Sequence, residues 1–174
     1  MEITASMVKE LREKTNAGVM DCKRALQDCG GNLQQASEIL REQGLARAAK
    51  KLERVARQGL VEPYIHAAGR IGVLVELNCE TDFVARMPEF KALAHDIAMQ
   101  IAATNPQYLS LADVPADVKD NNSADVVAEM CLLSQPFIRE PGLTIEKLIT
   151  AKVAAVGENI RVSRFVRFEL GVYQ

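Results

Sequence analysis

The sequence predicts an α+β protein, with a bundle of three short helices followed by an α+β core that has a mainly antiparallel sheet. Two observations give this fold class. Apolar residues in the first third of the chain recur at the spacing of helices, broken by glycine-containing turns. From Gly59 the spacing changes to alternation, which indicates strands, before a long helical stretch returns. No internal repeat is long enough to indicate a solenoid.

Residues 1–44 are predicted to form a separate module of three helices. Thr4 is a suitable cap for the first helix. Gly30–Gly31 ends the second, because glycine adopts the left-handed conformation after a helix without strain. Asn32 is a suitable cap for the third helix, which we expect to stop at Gly44. The side chains expected to face inward are Ile3, Met7, Val8, Leu11, Val19, Cys22, Ala25, Leu26, Cys29, Leu33, Ala36, Ile39 and Leu40.

A fourth helix is predicted over residues 45–57 as a linker. Its apolar side would carry Leu45, Ala48, Ala49, Leu52, Val55 and Ala56. The rest of its surface is basic, with Arg47, Lys50, Lys51, Arg54 and Arg57. Two interpretations stand: a solvated connector, or a basic surface that meets an acidic partner or RNA.

The remaining residues, 58–174, are predicted to form the core domain. Two strands at 60–66 and 70–78, separated by a short Ala-Ala-Gly segment, are typical of a hairpin. Pro63 places the first strand at an edge or a bulge, because proline donates no ladder hydrogen bond. The residues of the second strand expected on one face are Ile71, Val73, Val75 and Leu77.

The clearest amphipathic helix opens at Pro88 and ends at Asn105–Pro106, and it should cover one face of the sheet. Residues 117–128 read as a short polar link. Beyond it, Thr144 is expected to cap a further helix, which Gly157 closes.

The last strand is predicted over residues 159–170. The face expected to be buried carries Ile160, Val162, Val166, Phe168 and Leu170. Arg164 interrupts this face, so a bulge or a partner contact is expected there. Arginines beside phenylalanines resemble an RNA-stacking sheet, but we interpret Phe168 as a core residue.

Composition limits the classes of function. Hydrophobic residues make up 48% of the chain, enough for a core, and the net charge of −2 argues against a nucleic-acid protein that relies on overall positive charge. No apolar run approaches the roughly 18 residues that span a bilayer, and the start lacks the features of a secretion signal. We therefore expect a cytoplasmic protein, or alternatively an organelle-matrix protein after removal of a transit peptide.

Residues for catalysis or metal binding are not grouped in the sequence. The spacings of Cys22, Cys29, Cys79 and Cys131 fit neither a redox pair nor a zinc site, and small buried thiols are the better interpretation. The two histidines, His66 and His95, lie in unrelated segments. No Walker loop, dinucleotide fingerprint or nucleophile elbow occurs. We expect no catalytic residue, no metal, no cofactor and no enzymatic activity.

The junction after the second strand is the most informative segment. A strand-like run ends in Thr81-Asp82-Phe83-Val84, which places an aromatic beside a carboxylate on an expected turn. Such a group suits insertion into another protein better than transformation of a small molecule.

Three segments carry a family resemblance. Residues 11–26 read LREKTNAGVMDCKRAL and residues 76–86 read ELNCETDFVAR. Near the end of the chain, residues 157–160 read GENI and residues 164–169 read RFVRFE. In this order, the segments resemble the signatures of elongation factor Ts. The resemblance covers nearly the whole chain.

The resemblance implies a ubiquitin-associated-like module before the α+β core, and guanine-nucleotide exchange on elongation factor Tu during translation elongation. It also implies that Thr81, Asp82, Phe83 and Val84 reach the magnesium and phosphate side of the G domain of that GTPase, with Phe83 as a wedge. The alternatives are a core aromatic for Phe83 and a helix cap for Asp82.

The resemblance also implies that the amino-terminal module grips the same G domain. We expect Val8, Leu11, Val19 and Met20 to make this contact, with packing of the small bundle as the alternative for each. No direct contact with nucleic acid or membrane is expected.

The chain departs from the family pattern at three places. Asn16 stands where glycine is usual, and asparagine is the next most tolerant residue for positive φ. Val19 stands where methionine is common. Between about 117 and 131 the chain has a short link where many members carry a long helical hairpin. Its loss leaves open a GTPase-binding scaffold without exchange activity, and a homodimer formed through an uncovered sheet face or edge.

Overall fold

The computed structural model describes residues 3–15 and 17–172. The chain divides into two compact units: residues up to Glu53 with Thr150–Glu158, and Arg54–Ile149 with the residues from Asn159 onward. Three helices open the first unit, and the second is built on an antiparallel sheet, which confirms the α+β fold class. The prediction for Asn16 falls outside the described residues.

Three helices make the core of the first unit: α1 (Ala5–Thr15), α2 (Val19–Asp28) and α3 (Leu33–Ala49). The Thr4 hydroxyl accepts a hydrogen bond from the Met7 amide at 3.3 Å, so this predicted cap is present. The Asn32 side chain accepts hydrogen bonds from the backbone amides of Gln34 and Gln35, which confirms the second predicted cap. The fully or nearly fully buried residues of the bundle are Leu11, Cys22, Ala25, Leu26, Ala36 and Leu40.

The predicted stop at Gly44 and the predicted helix over 45–57 are both wrong. Helix α3 continues through Gly44 to Ala49. Glycine in a helix costs about 1 kcal/mol relative to alanine, but Leu40 and Ala48 on either side are buried, and their packing outweighs that cost. Residues 50–54 then form turns and a bend, so the basic residues of 47–57 do not share one helix.

The sheet of the second unit has the strand order β1-β2-β5, with all neighbours antiparallel. Its strands are β1 (Gln58–His66), β2 (Ile71–Cys79) and β5 (Ile160–Glu169). The predicted hairpin is confirmed, and Pro63 lies on an edge strand as expected. Ala67 and Ala68 in its turn have positive φ angles of 51° and 54°.

Helix α5 (Pro88–Thr104) packs on the inner face of β1 and β2. Proline at its first position and Asn105 in the left-handed conformation at its end match the sequence prediction. Its buried apolar side chains are Phe90, Leu93, Ala94, Ile97, Ala98, Ile101 and Ala102. Together with Val73, Val75 and Leu77 of β2 they form the core of this unit.

A β-bulge at Ser163 changes which residues of β5 are buried. Leu77 pairs with Val162 and Glu76 with Arg164, so Ser163 is the extra residue. One extra residue moves every later side chain to the opposite face of the sheet. The predicted bulge is therefore present, but Phe168 is 68% exposed, so its assignment to the core is wrong.

The segment from 116 to 130 is not the loop that its polar composition suggested. It forms two short helices, α6 (Ala116–Asn121) and α7 (Ala124–Met130). The Ser123 hydroxyl accepts from the Val126 amide and so caps α7. Val127 packs with Val114 and Cys131 in a small cluster, which gives these helices an apolar support that the sequence pattern hides.

The remaining elements are a small ladder and a helix. Strands β3 (Pro136–Phe137) and β4 (Glu140–Thr144) pair with each other and lead into α8 (Ile145–Val156). The Thr144 hydroxyl accepts from the Lys147 amide, and Gly157 follows the helix with a φ of 88°. Both predicted ends of this helix are therefore confirmed. Among the described residues, no helix is long and apolar enough to span a membrane.

Candidate functional site: an exposed turn after the central strand

Strand β2 leads directly into helix α4 (Asp82–Arg86), and the residues 81–84 at this junction are called here the exchange turn. Thr81 has an extended backbone, with φ −124° and ψ 154°, and is the N-cap. Its hydroxyl accepts a hydrogen bond from the Val84 amide at 3.4 Å. The alternative that Asp82 is the cap is therefore wrong, since Asp82 is the first helical residue.

In the exchange turn, an exposed aromatic residue is followed directly by a buried aliphatic residue. Phe83 is 74% exposed, the largest exposed fraction among the large hydrophobic side chains described. Val84, the next residue, is only 3% exposed and is part of the core. The alternative of Phe83 as a core aromatic is thus wrong in this structure. Because Val84 is buried and Thr81 caps the helix, Phe83 projects from a fixed backbone.

Asp82 is held by its own helix. Its carboxylate accepts a hydrogen bond from the Arg86 guanidinium at 2.6 Å, in the i,i+4 arrangement. Both side chains are mostly exposed, so the pair contributes little to stability. It orients the carboxylate beside Phe83.

Two further residues brace the turn from the strand side. The Cys79 thiol donates to the Thr81 carbonyl at 3.1 Å. A Glu80 carboxylate oxygen accepts from the Asn159 amide at 2.7 Å and lies 3.6 Å from the Arg54 guanidinium. The sequence prediction missed Glu80, because Asn159 is 79 positions away and no local pattern signals that contact.

Glu80→Ala is expected to lower stability by about 1–3 kcal/mol, because it removes a partly buried acceptor for a backbone amide. Glu80→Gln keeps an acceptor oxygen and is the matched control, with a smaller expected loss. Urea unfolding of both variants gives the comparison. Equal losses for the two would show that the hydrogen bond to Asn159 does not support the turn.

The predicted residues of the amino-terminal module fall into two groups. Val19 is 49% exposed and Met20 is 67% exposed, at the start of α2. Val8 on α1 is partly buried against the bundle core. Leu11 is completely buried, so its expected role in direct contact is corrected to support of the bundle from within. Val8, Val19 and Met20 are called here the amino-terminal surface.

An ion pair supports α2 beside this surface. The Arg47 guanidinium of α3 donates to the Asp21 carboxylate at 2.9 Å. This hydrogen bond and the positive charge of Arg47 hold the pKa of Asp21 below its ordinary value of 3.8. The pair links the second and third helices of the module.

The Asp21 shift predicts a pH dependence. A carboxylate with a lowered pKa in the folded state adds stability above its unfolded pKa, and this is lost as the pH falls from about 3.8 through the lower folded value. Asp21→Asn should therefore show a weaker loss of stability across that range. Thermal unfolding at a series of acidic pH values measures it, and identical slopes for variant and parent would contradict the prediction.

Within the described part of the chain, no three histidine, cysteine, aspartate or glutamate side chains are grouped so that they could hold a metal ion. The arrangement at the exchange turn consists of an exposed phenylalanine, an oriented carboxylate and a buried support. An exposed phenylalanine beside an oriented carboxylate suits contact with a protein surface.

Comparison with known proteins identifies the family. The family model for elongation factor Ts matches residues 2–126, well over half of the chain. The chain belongs to the elongation factor Ts family.

Its relatives in this family match over nearly their whole lengths. Elongation factor Ts of Carboxydothermus hydrogenoformans is 53% identical over 194 residues, covering 97% of this chain and 89% of the relative. Elongation factor Ts of Thermodesulfovibrio yellowstonii is 52% identical over 198 residues, covering 100% of this chain and 99% of the relative. That of Heliobacterium modesticaldum is 51% identical, covering 97% and 90%.

The alignments also show that this chain is short for the family. The 198 aligned positions with the Thermodesulfovibrio yellowstonii protein outnumber the 174 residues of the chain. That elongation factor Ts therefore has residues that this one lacks. Family membership assigns the chain to translation elongation.

Proposed function

We propose that this protein is the guanine-nucleotide exchange factor for elongation factor Tu and acts in the cytoplasm. The observation that carries the proposal is Phe83, which is 74% exposed although its neighbour Val84 is buried. Exposure of a phenylalanine on a capped helix end has no advantage for the isolated fold. It fits insertion into a partner, at the position where the family signature lies.

Exchange requires no covalent chemistry from this protein. A GTPase holds its nucleotide through a phosphate-binding loop and a magnesium ion. A factor that binds the nucleotide-free form more tightly than the loaded form shifts the equilibrium toward release. By linkage, nucleotide weakens binding of the factor by the same ratio, so GTP can displace the factor after GDP leaves.

The exchange turn supplies the groups for this differential binding. Phe83 inserts between helices of the G domain near the magnesium and phosphate side. A phenylalanine buries about 150–250 Å² and is large enough to be the anchor of an interface. Asp82 forms hydrogen bonds with polar groups beside the magnesium site or repels them electrostatically. Thr81 and Val84 fix the conformation of the turn at its two ends.

The amino-terminal surface binds the same G domain. Met20 and Val19 are the exposed apolar residues of this surface, and they provide contact area without disturbing the core. Val8 adds a partly buried apolar side chain to this surface. The buried Leu11 anchors α1 in the bundle core. Met20 suits such a contact, because methionine adapts its shape to a partner.

Stopped-flow release of a fluorescent GDP from elongation factor Tu, with and without this protein, tests the proposal. Acceleration well above the intrinsic rate is the expected result. A stable complex without acceleration would instead indicate a scaffold that binds the GTPase and does not promote exchange. No complex, together with salt-sensitive retention on RNA, would replace the proposal with RNA binding.

A further inference from the structure

At the end of the three-stranded sheet that carries the exchange turn, side-chain contacts continue the backbone ladder. The last paired residues there are Cys79 of β2 and Ile160 of β5. In the next position, the Asn159 amide donates to a Glu80 carboxylate oxygen at 2.7 Å. Because a side chain supplies this acceptor, β2 can leave the sheet and enter α4 while the Asn159 amide keeps a hydrogen bond.

Asn159 also ties this contact to the segment before β1. Its side-chain amide donates to the Arg54 carbonyl oxygen at 2.7 Å. The Arg54 guanidinium in turn lies 3.6 Å from the same Glu80 oxygen that accepts the Asn159 backbone amide. Arg54, Glu80 and Asn159 therefore connect the segments that lead into β1, out of β2 and into β5. We call these three residues, which all belong to the second unit, the strand-end clamp.

Burial makes Asn159 the central member of the strand-end clamp. Asn159 is 1% exposed, whereas the side chain of Arg54 is 53% exposed. A buried amide group is tolerated where hydrogen bonds replace its contacts with water. An ion pair with an exposed partner contributes little to stability. The hydrogen bonds of Asn159, more than the charge of Arg54, therefore hold the three segments together.

We propose that Asn159 is a positioning residue for nucleotide exchange, which acts through Glu80 to fix the direction in which the exchange turn presents Phe83 to the partner. This inference rests on the proposed function and deepens it. Because Asn159 is buried, its effect reaches the partner only through the turn.

The path from the strand-end clamp to Phe83 is short. Glu80 directly precedes Thr81, whose hydroxyl accepts from the Val84 amide at 3.4 Å and whose carbonyl accepts from the Ala85 amide at 3.3 Å. Helix α4 has five residues, too few to keep a direction through its own hydrogen bonds. Val84 holds the far end of the turn in the core, so the clamp determines where the near end lies.

Gln135 provides a matched control for a buried amide that has no part in the exchange turn. It is 4% exposed, and its side chain donates to the Glu129 carbonyl at 2.6 Å, which matches the contact of Asn159 with a backbone carbonyl. Its side-chain oxygen accepts from residues in the last two turns of α5. Gln135→Ala should therefore lower global stability as Asn159→Ala does, without moving the turn.

Amide hydrogen exchange of the free protein measures the position of the turn without a partner. In Asn159→Ala, the Val84 and Ala85 amides should exchange at least about 10-fold faster relative to the amide of Ile97, which is buried in α5. In Gln135→Ala this ratio should stay within about twofold of the parent value, because global unfolding raises both rates together.

Stopped-flow release of GDP from elongation factor Tu measures the consequence for exchange. Asn159→Ala should lower the maximal release rate at saturating factor at least about 10-fold, and should change the concentration for half-maximal acceleration less than about threefold. The second value is small because Phe83 and the amino-terminal surface are both still present. Glu80→Ala should show the same two effects, and it covers the case in which Asn159→Ala does not fold. Glu80→Gln keeps an acceptor oxygen and should restore most of the parent rate.

Three results would overturn the inference. The first is an unchanged hydrogen-exchange ratio in the folded variants of Asn159 and Glu80. The second is a raised ratio together with the maximal release rate of the parent. The third is an equal loss of release in Gln135→Ala, which would reduce the effect of Asn159 to general stability. A parent protein that does not accelerate release would instead refute the proposed function, and the hydrogen-exchange ratio would still decide whether the strand-end clamp fixes the turn.

Discussion

Phe83→Ala is expected to reduce the acceleration of GDP release from elongation factor Tu by at least about 30-fold, the effect of an interface hot spot worth roughly 2 kcal/mol. The side chain is 74% exposed, so truncation removes little from the core of this protein. Its whole effect should therefore fall on the complex. Stopped-flow fluorescence at several concentrations of the variant separates weaker binding from slower release.

The controls for Phe83→Ala come from the same unit of the protein. Leu111→Ala removes another exposed apolar side chain and should leave the release rate unchanged. Phe83→Leu keeps most of the apolar volume and should retain part of the activity. Circular dichroism and thermal unfolding should show a fold unaffected by any of these changes. Release at the parent rate with Phe83→Ala would refute the wedge.

The exchange turn illustrates what local sequence can predict. The cap contact is local, since it joins Thr81 and Val84, three positions apart, yet the cap considered from the sequence is Asp82 and not Thr81. Exposure of Phe83 agrees with the expectation that the turn carries it outward. The brace by Glu80 depends on Asn159, which only the folded sheet brings near, so no local pattern predicts it.

Burial in the last strand shows the limit of alternation. The residues of β5 alternate regularly, yet one bulge reverses the faces from Arg164 onward. Val162 and Val166 are four apart and would share a face in a regular strand, but Val162 is buried and Val166 is 38% exposed. The position of the bulge depends on pairing with β2, which lies far away in the sequence. The residues of β5 alone therefore do not predict where the buried face changes.

Helix ends show a second limit. Gly44 is a residue type that commonly ends a helix, but packing of the buried residues Leu40 and Ala48 extends α3 to Ala49. Leu11 shows a related effect, because a residue on an apolar helix face is equally suited to a core or to a partner. Tertiary packing decides such cases, and a single sequence does not contain it.

Gly59→Ala is expected to destabilise the second unit by at least about 3 kcal/mol. Gly59 has a φ of 145°, a conformation that residues with a side chain rarely adopt. A Cβ atom there would lie 2.1 Å from the Leu77 carbonyl oxygen and 2.8 Å from the Asn78 Cα. Both are backbone atoms of the paired strand, so a side-chain rearrangement cannot relieve the clash.

Gly142→Ala is the matched control, because Gly142 is also in a strand of the second unit and a Cβ there would meet nothing within 4 Å. Its effect should stay within about 0.5 kcal/mol. Urea unfolding measures both variants, and amide hydrogen exchange localises the loss to β1 and β2. Equal stability of the two variants would show that β1 can shift along β2 without cost.

The damage from Gly59→Ala should extend to exchange activity. Gln58 pairs with Cys79, the last residue of β2, and Cys79 donates its thiol hydrogen to the Thr81 carbonyl. Separation of the strands at Gly59 therefore loosens the end of β2 that carries the exchange turn. We expect Gly59→Ala to slow GDP release more than Gly142→Ala even at temperatures where both remain folded. Such a result would show that the sheet, as well as Phe83, determines activity.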